Sequence, residues 1–118
     1  MIPDWTPLTD ARQLDELVLL SASQPQIIFK HSTRCSISST AWNRLRQADL
    51  PAGTRCYYLD LLSYRPLSAA IAEKFSVTHE SPQVLLIRDG VCVYDESHLG
   101  ITADELAEQV NQVLSGQE

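Results

Sequence analysis

The stretch Phe29-Lys30-His31-Ser32-Thr33-Arg34-Cys35-Ser36-Ile37-Ser38 changes its apolar period in mid-course. Its first part closes Gln26-Ile27-Ile28-Phe29-Lys30-His31, a short apolar run with β-forming residues that follows the breaker Pro25 and suits a central strand. From Cys35 onward, Ile37, Ala41, Leu45 and Ala48 recur at i, i+4, i+8 and i+11, with Trp42 alongside, which is the period of a helix. Cys35 is thereby placed at or just before a helix start, where a strand gives way to a helix.

Working outward, Thr9 or Asp10 can N-cap a preceding helix over about residues 10–22, with Leu14, Leu17, Val18 and Ser21 on its inner face. Downstream, Pro51-Ala52-Gly53 ends the Cys35 helix, and Thr54 to Asp60 reads as a second strand that contains Cys56. Pro66 suits the first turn of a third helix, which buries Leu67, Ala70, Ile71 and Phe75 and ends near Ser76. Pro82 to Ile87 and Val91 to Tyr94 flank Arg88-Asp89-Gly90 and predict a hairpin. Thr102 and Glu105 form a capping box ahead of a last helix carrying Leu106, Val110, Val113 and Leu114.

The predicted order is α-β-α-β-α-β-β-α. Short βαβ crossovers are right-handed and cover a sheet on both faces, so this order predicts an α/β fold with a four-stranded mixed sheet flanked by helices. It is the element order of the thioredoxin fold with an extra N-terminal helix in front. The 118 residues are the size of one domain, and residues 1–118 are expected to form a single thioredoxin-like domain.

Nine Lys and Arg against fifteen Asp and Glu give a net charge of −6 spread along the chain, which argues against a nucleic-acid partner. No apolar stretch approaches the roughly 20 residues that span a bilayer. Met1-Ile2-Pro3-Asp4-Trp5 has neither a basic segment nor an apolar h-region, so no membrane partner and a cytoplasmic location are expected. Cys35, Cys56 and Cys92 are too few and too far apart for a disulfide scaffold, and each is a buried small hydrophobe, a metal ligand or a reactive thiol.

Cys35 is the candidate nucleophile. Backbone N–H groups and the dipole at a helix N-terminus favour the thiolate, and Arg34 and protonated His31 act in the same sense. The thiolate is the species that attacks disulfides. No metal is expected, since a structural zinc site needs four ligands and no second closely spaced Cys/His pair accompanies His31 and Cys35. Ser38 stands where a C-x-x-C pair would have its second cysteine, so the site is monothiol; its hydroxyl either bonds the thiolate or bonds backbone in the first turn. Cys56 and Cys92 lie in strands and read as inert, and His79 and His98 read as solvated loop residues. Pro82 either opens a strand or, on this fold, forms the cis-proline loop facing the cysteine.

Taken in order and spacing, Phe29-Lys30-His31-Ser32-Thr33 running into Cys35, Ile37-Ser38, Tyr57-Tyr58-Leu59, Arg65-Pro66-Leu67-Ser68, Ile71-Ala72-Glu73 and His79-Glu80-Ser81-Pro82-Gln83 resemble the monothiol bacilliredoxins of the bacillithiol system, the YtxJ type. Ser97-His98 and Ile101-Thr102 add a smaller echo. The resemblance implies a thioredoxin fold, Cys35 as attacking thiol, Ser38 in the second-cysteine position, and Thr33, Ser81 and Pro82 as substrate-binding residues around a cis-proline loop. It also implies removal of bacillithiol or a similar low-molecular-weight thiol from S-thiolated client proteins. The small thiol is then a co-substrate, no cofactor is tightly bound, and a second small thiol or a reductase recycles Cys35. One position departs from the family pattern: Ser36 stands where proline usually follows the cysteine, which frees an N–H near the sulfur and loosens the first turn. The alternative from another class is a noncatalytic redox-sensing or adaptor module whose partner binding responds to modification of Cys35.

Overall fold

Trp5–Pro7 (β1) pairs in parallel with Arg55–Asp60 (β3) and adds a fifth strand to the expected four. The computed structural model describes residues 1–116. The sheet has the order β1-β3-β2-β4-β5, where β2 is Gln26–His31, β4 is Gln83–Arg88 and β5 is Val91–Ser97. β1, β3 and β2 run parallel, and β4 and β5 are antiparallel additions. The helices are α1 (Ala11–Leu20), α2 (Ser36–Leu45), α3 (Arg65–Phe75) and α4 (Ala103–Leu114), with one 3-10 turn at His98–Gly100.

The fifth strand corrects both the four-strand expectation and the reading of α1 as an extra element in front. α1 is the crossover from β1 to β2. Three residues give no alternation to read, and Pro7 lacks a donor, which only an edge strand tolerates. Beyond it, Leu8 N–H still bonds Tyr58 O at 2.8 Å.

Both sheet faces are covered. Ile27 and Phe29 pack with Ala41, Leu45, Leu106 and Val110 on the α2/α4 face, and Ile28 packs with Leu14, Leu17, Leu67 and Ile71 on the α1/α3 face. Two helical patterns needed correction. On α2, Ile37 is 39% exposed, and Ser38 takes the inward position with Ala41 and Leu45, three and seven residues on. On α3, Ala70 faces out and Ser68 faces in. The other differences are at element ends: β5 runs on to Ser97, and Leu114, in the last turn of α4, is 48% exposed. The tight turn is as expected, with Asp89 at φ 53° and Gly90 at φ 74°.

Asp10 caps α1 by accepting Arg12 N–H at 2.8 Å, in a capping box with Gln13. Asp10→Ala should lower stability by about 1 kcal/mol, measured as an earlier urea midpoint with unchanged m-value.

Candidate active site

β2 ends at His31, which lies beside Asp60 at the end of β3. The chain then turns through Ser32-Thr33-Arg34, with Cys35 N–H bonding Ser32 O at 3.1 Å. Cys35 is the N-cap of α2, in extended backbone at φ −108° and ψ 123°, and its carbonyl accepts Ser39 N–H at 3.0 Å. The half-buried thiol therefore stands at the positive end of a ten-residue helix, and its side chain makes no capping hydrogen bond.

Ser38 is fully buried in the first turn of α2. Its Oγ accepts Ser32 N–H at 2.9 Å and lies 2.8 Å from His31 Nδ1. Of the two expected alternatives, the hydroxyl takes the bond to backbone, and it meets an imidazole as well. In the Nε2–H tautomer of His31 the hydroxyl proton goes to Nδ1; when Nδ1 carries the proton, the hydroxyl proton is free. His31 is buried against Phe29, Trp42 and Tyr58, with ring centroids 5.8, 6.2 and 6.4 Å away. Burial lowers its pKa, opposed by the Asp60 charge and by Ser38. Burial thus disfavours the protonated ring, the form in which His31 would favour the thiolate.

Thr33, Arg34 and Ser36 are exposed around Cys35. The Ser81-Pro82 peptide is cis, and the next residue, Gln83, pairs with Lys30 across the sheet. The loop before β4 thus lies at the same sheet end as the Cys35 loop. The two other thiols are remote from that chemistry. Burial pushes Cys56 up to about 12, and burial with the Asp95 charge pushes Cys92 up to about 11. Cys56 belongs to the α2/α4 core, whereas Cys92 packs on the α1/α3 core.

The sequence reading passed over Lys30, Ser68 and His79. Lys30 is fully buried on the α1/α3 face, with Nζ 3.2 Å from both Ser68 O and His79 Nδ1. His79 is exposed in its loop, as read from the sequence, and its Nδ1 in addition meets the buried Lys30. A lysine inside an otherwise apolar central strand was the available signal.

Comparison with known proteins places this geometry. The family model described as monothiol bacilliredoxin BrxC matches residues 6–106. The chain belongs to the monothiol bacilliredoxin family. Among solved structures, a provisionally assigned oxidoreductase with a thioredoxin fold is 29% identical with a TM-score of 0.77, over 87% of this chain and 90% of that one. Thioredoxin from Trypanosoma brucei brucei is 8% identical with a TM-score of 0.73, over 98% and 95%. Malassezia sympodialis thioredoxin is 9% identical with a TM-score of 0.70, over 95% and 94%. These last two show the fold alone.

This bacilliredoxin is thus a redox enzyme of the thioredoxin-fold oxidoreductases, and its family takes a low-molecular-weight thiol as substrate. Among the described residues, no group of three or more His, Cys, Asp and Glu could hold a metal ion. Among the described residues, no helix is long and apolar enough to cross a membrane.

Burial lowers Lys30 from 10.5 to about 8, so the folded chain sheds this proton before the unfolded chain does. The cost of the buried charge is fully present below about pH 8 and is relieved as pH rises to 10.5. Relative to Lys30→Met, the native protein should therefore gain about 2–3 kcal/mol across that window. Urea unfolding of both proteins, from neutral to alkaline pH, measures the difference.

Proposed function

We propose that this bacilliredoxin is a monothiol thiol-disulfide oxidoreductase that removes bacillithiol, or a similar low-molecular-weight thiol, from protein mixed disulfides. The Cys35 thiolate attacks the small-thiol sulfur of protein-S-S-R. A Cys35-S-S-R disulfide forms, and the protein sulfur leaves as a thiolate that takes up a proton. A second small thiolate then attacks the R sulfur, forms a disulfide with it and returns Cys35 as thiolate. Oxidation level is conserved in the first step, and the incoming thiol supplies the electrons for the second.

The observation that carries this reading is the place of Cys35: a half-buried thiol at the N-cap of α2, with the cis Ser81-Pro82 loop at the same end of the sheet. Thr33, Ser81 and Pro82 are proposed to bind the client or the small thiol, and Arg34 and Ser36 to support the thiolate. Ser36 leaves a backbone N–H at the first helical position that a proline would remove.

Cys35→Ser should abolish release of bacillithiol from a bacillithiolated model protein, whereas Cys56→Ser and Cys92→Ser should stay within about twofold of the native rate, as inert buried thiols require. Loss of activity in a folded Cys56→Ser or Cys92→Ser protein would sink the monothiol scheme. Binding to a partner that changes with Cys35 modification, without turnover, would favour the adaptor reading instead.

Ser38→Cys gives a second test. Cys35 at the N-cap and residue 38 at the third helical position share the first turn of α2, the spacing of a C-x-x-C pair, so a rotated thiol at 38 is proposed to come within bonding reach of Cys35. The variant should close an intramolecular disulfide and expel its bound small thiol unaided, as seen by mass spectrometry. A lasting adduct on Cys35 beside a free thiol at 38 would count against the assigned site.

A further inference from the structure

Lys30, Ser68 and His79 have no part in the exchange steps above, yet buried Lys30 and Ser68 meet the exposed His79 beside a cavity of about 590 Å³. The cavity lies between α3 and the segment leading to the cis-proline loop, and its lining includes Leu61, Arg65, Ser68, Ala72, Val77 and His79. Its size is that of a small-molecule site.

The hydrogen bonds fix the character of its wall. An ammonium group has only protons to offer, so His79 Nδ1, 3.2 Å from Lys30 Nζ, is the acceptor. Ser68 Oγ, 3.3 Å from the same nitrogen, shares it. The ring proton of His79 is consequently on Nε2, the nitrogen that faces away from Lys30. Arg65 adds guanidinium donors, so the cavity presents a neutral donor backed by a buried cation and an arginine.

That cation lacks a counter-ion. Among the described residues no carboxylate lies within ion-pair distance of Lys30, and Glu80, the acidic neighbour of His79, pairs with His98 at 3.3 Å. A fully buried charge is ordinarily paired, because an unpaired one costs several kcal/mol. Glu73 also lines the cavity, but among the described residues it forms no ion pair with Lys30.

We propose that this cavity is an anion subsite that receives a carboxylate of the low-molecular-weight thiol, with His79 Nε2–H as donor and the Lys30 ammonium behind it as the fixed charge. The inference rests on the exchange reading of Cys35 given above. The topology places the two together: Leu61 N–H bonds His31 O at 2.9 Å, Gln83 pairs with Lys30, and His79 precedes the cis Ser81-Pro82 peptide by one residue, Glu80. Both features therefore stand at the end of the sheet where β2 stops and β4 begins. Cellular small thiols built on cysteine carry carboxylates at neutral pH. One lying against Leu61, Ala72 and Val77 would gain a charge-assisted hydrogen bond from His79 in front of the buried Lys30.

The test has two arms. In the first, the protein is titrated with succinate and the His79 ring nitrogens are followed by NMR, which reads binding without any chemistry at Cys35. Succinate should shift the Nε2 resonance in the native protein and lose its effect in Lys30→Met. In the second, Cys35 is reacted with dithiobis(nitrobenzoate), which carries carboxylates, and with neutral dithiodipyridine. His79→Ala should lower the ratio of the two rates about tenfold, the worth of one charge-assisted hydrogen bond. His79→Gln should keep most of the ratio, since its amide can accept from Lys30 and donate outward.

An unmoved Nε2 resonance, or an unchanged rate ratio in His79→Ala, would overturn the proposal. So would an equal fall in both rates, which would assign His79 to support of the cis-proline loop alone. If Cys35 reacts with neither disulfide, the exchange reading fails by itself, and the succinate arm still decides whether the anion site exists.

Discussion

A single buried hydroxyl fixes where the Cys35 thiol stands. Ser38 Oγ holds Ser32 N–H and meets His31 Nδ1, which ties the last residue of β2 to the first turn of α2. Ser32 to Cys35 is the only chain left between those two anchors, and the 3.1 Å bond from Cys35 N–H to Ser32 O closes it into a turn. Remove the hydroxyl and a partly buried N–H and a buried imidazole both lose their partner, at about 1–3 kcal/mol for each unsatisfied group. The N-cap position of Cys35, and with it the field of the helix on the sulfur, depends on that tie.

The same device recurs across the sheet. Successive residues of a strand point to opposite faces, so His31 and Lys30 serve two different loops from adjacent positions. His31 meets a serine of α2, while Lys30 meets a serine of α3 and, through His79, the segment ahead of the cis-proline peptide. In each case a serine occupies an inward helical position, and the partner ring is an imidazole: His31 with Ser38, His79 with Ser68. Adjacent residues of one strand thereby secure both segments that bracket the end of the sheet where Cys35 lies.

This pairing also explains what the sequence conceals. The strand-to-helix change at Cys35, the Asp-Gly hairpin and the cis-proline position were legible because each rests on local chemistry: a period, a turn residue or a proline. Ser38 and Ser68 were not legible as core residues, since hydrophobic patterning assigns inward positions to apolar side chains and pointed instead to Ile37 and Ala70. His79 is exposed as its loop position implies, but its contact with Lys30, 49 residues away, left no local signal in the sequence. β1 escaped because its three residues owe their strand conformation to pairing with β3, not to any pattern of their own. The elements were thus read from local signals, whereas the polar contacts that tune the site are long-range and had none.

The position of the other thiols bears on how such a site must be cleared. Cys56 lies on β3 and Cys92 on β5, three strand spacings apart, or about 14 Å. That is beyond the reach of a disulfide, whose Cα atoms sit roughly 4–7 Å apart. They also face opposite cores, and burial keeps both sulfurs protonated at neutral pH. Neither can approach Cys35 at the sheet end without unfolding the strand that holds it. On the proposed exchange scheme, with Cys56 and Cys92 held in their strands, an adduct on Cys35 would be released by a thiol that enters from solution. A site of this kind gains from holding a small thiol by groups other than the sulfur, because the incoming nucleophile has to find the adduct in one orientation for in-line attack. The donors that Lys30, His79 and Arg65 present at the same end of the sheet are of the type that would impose it.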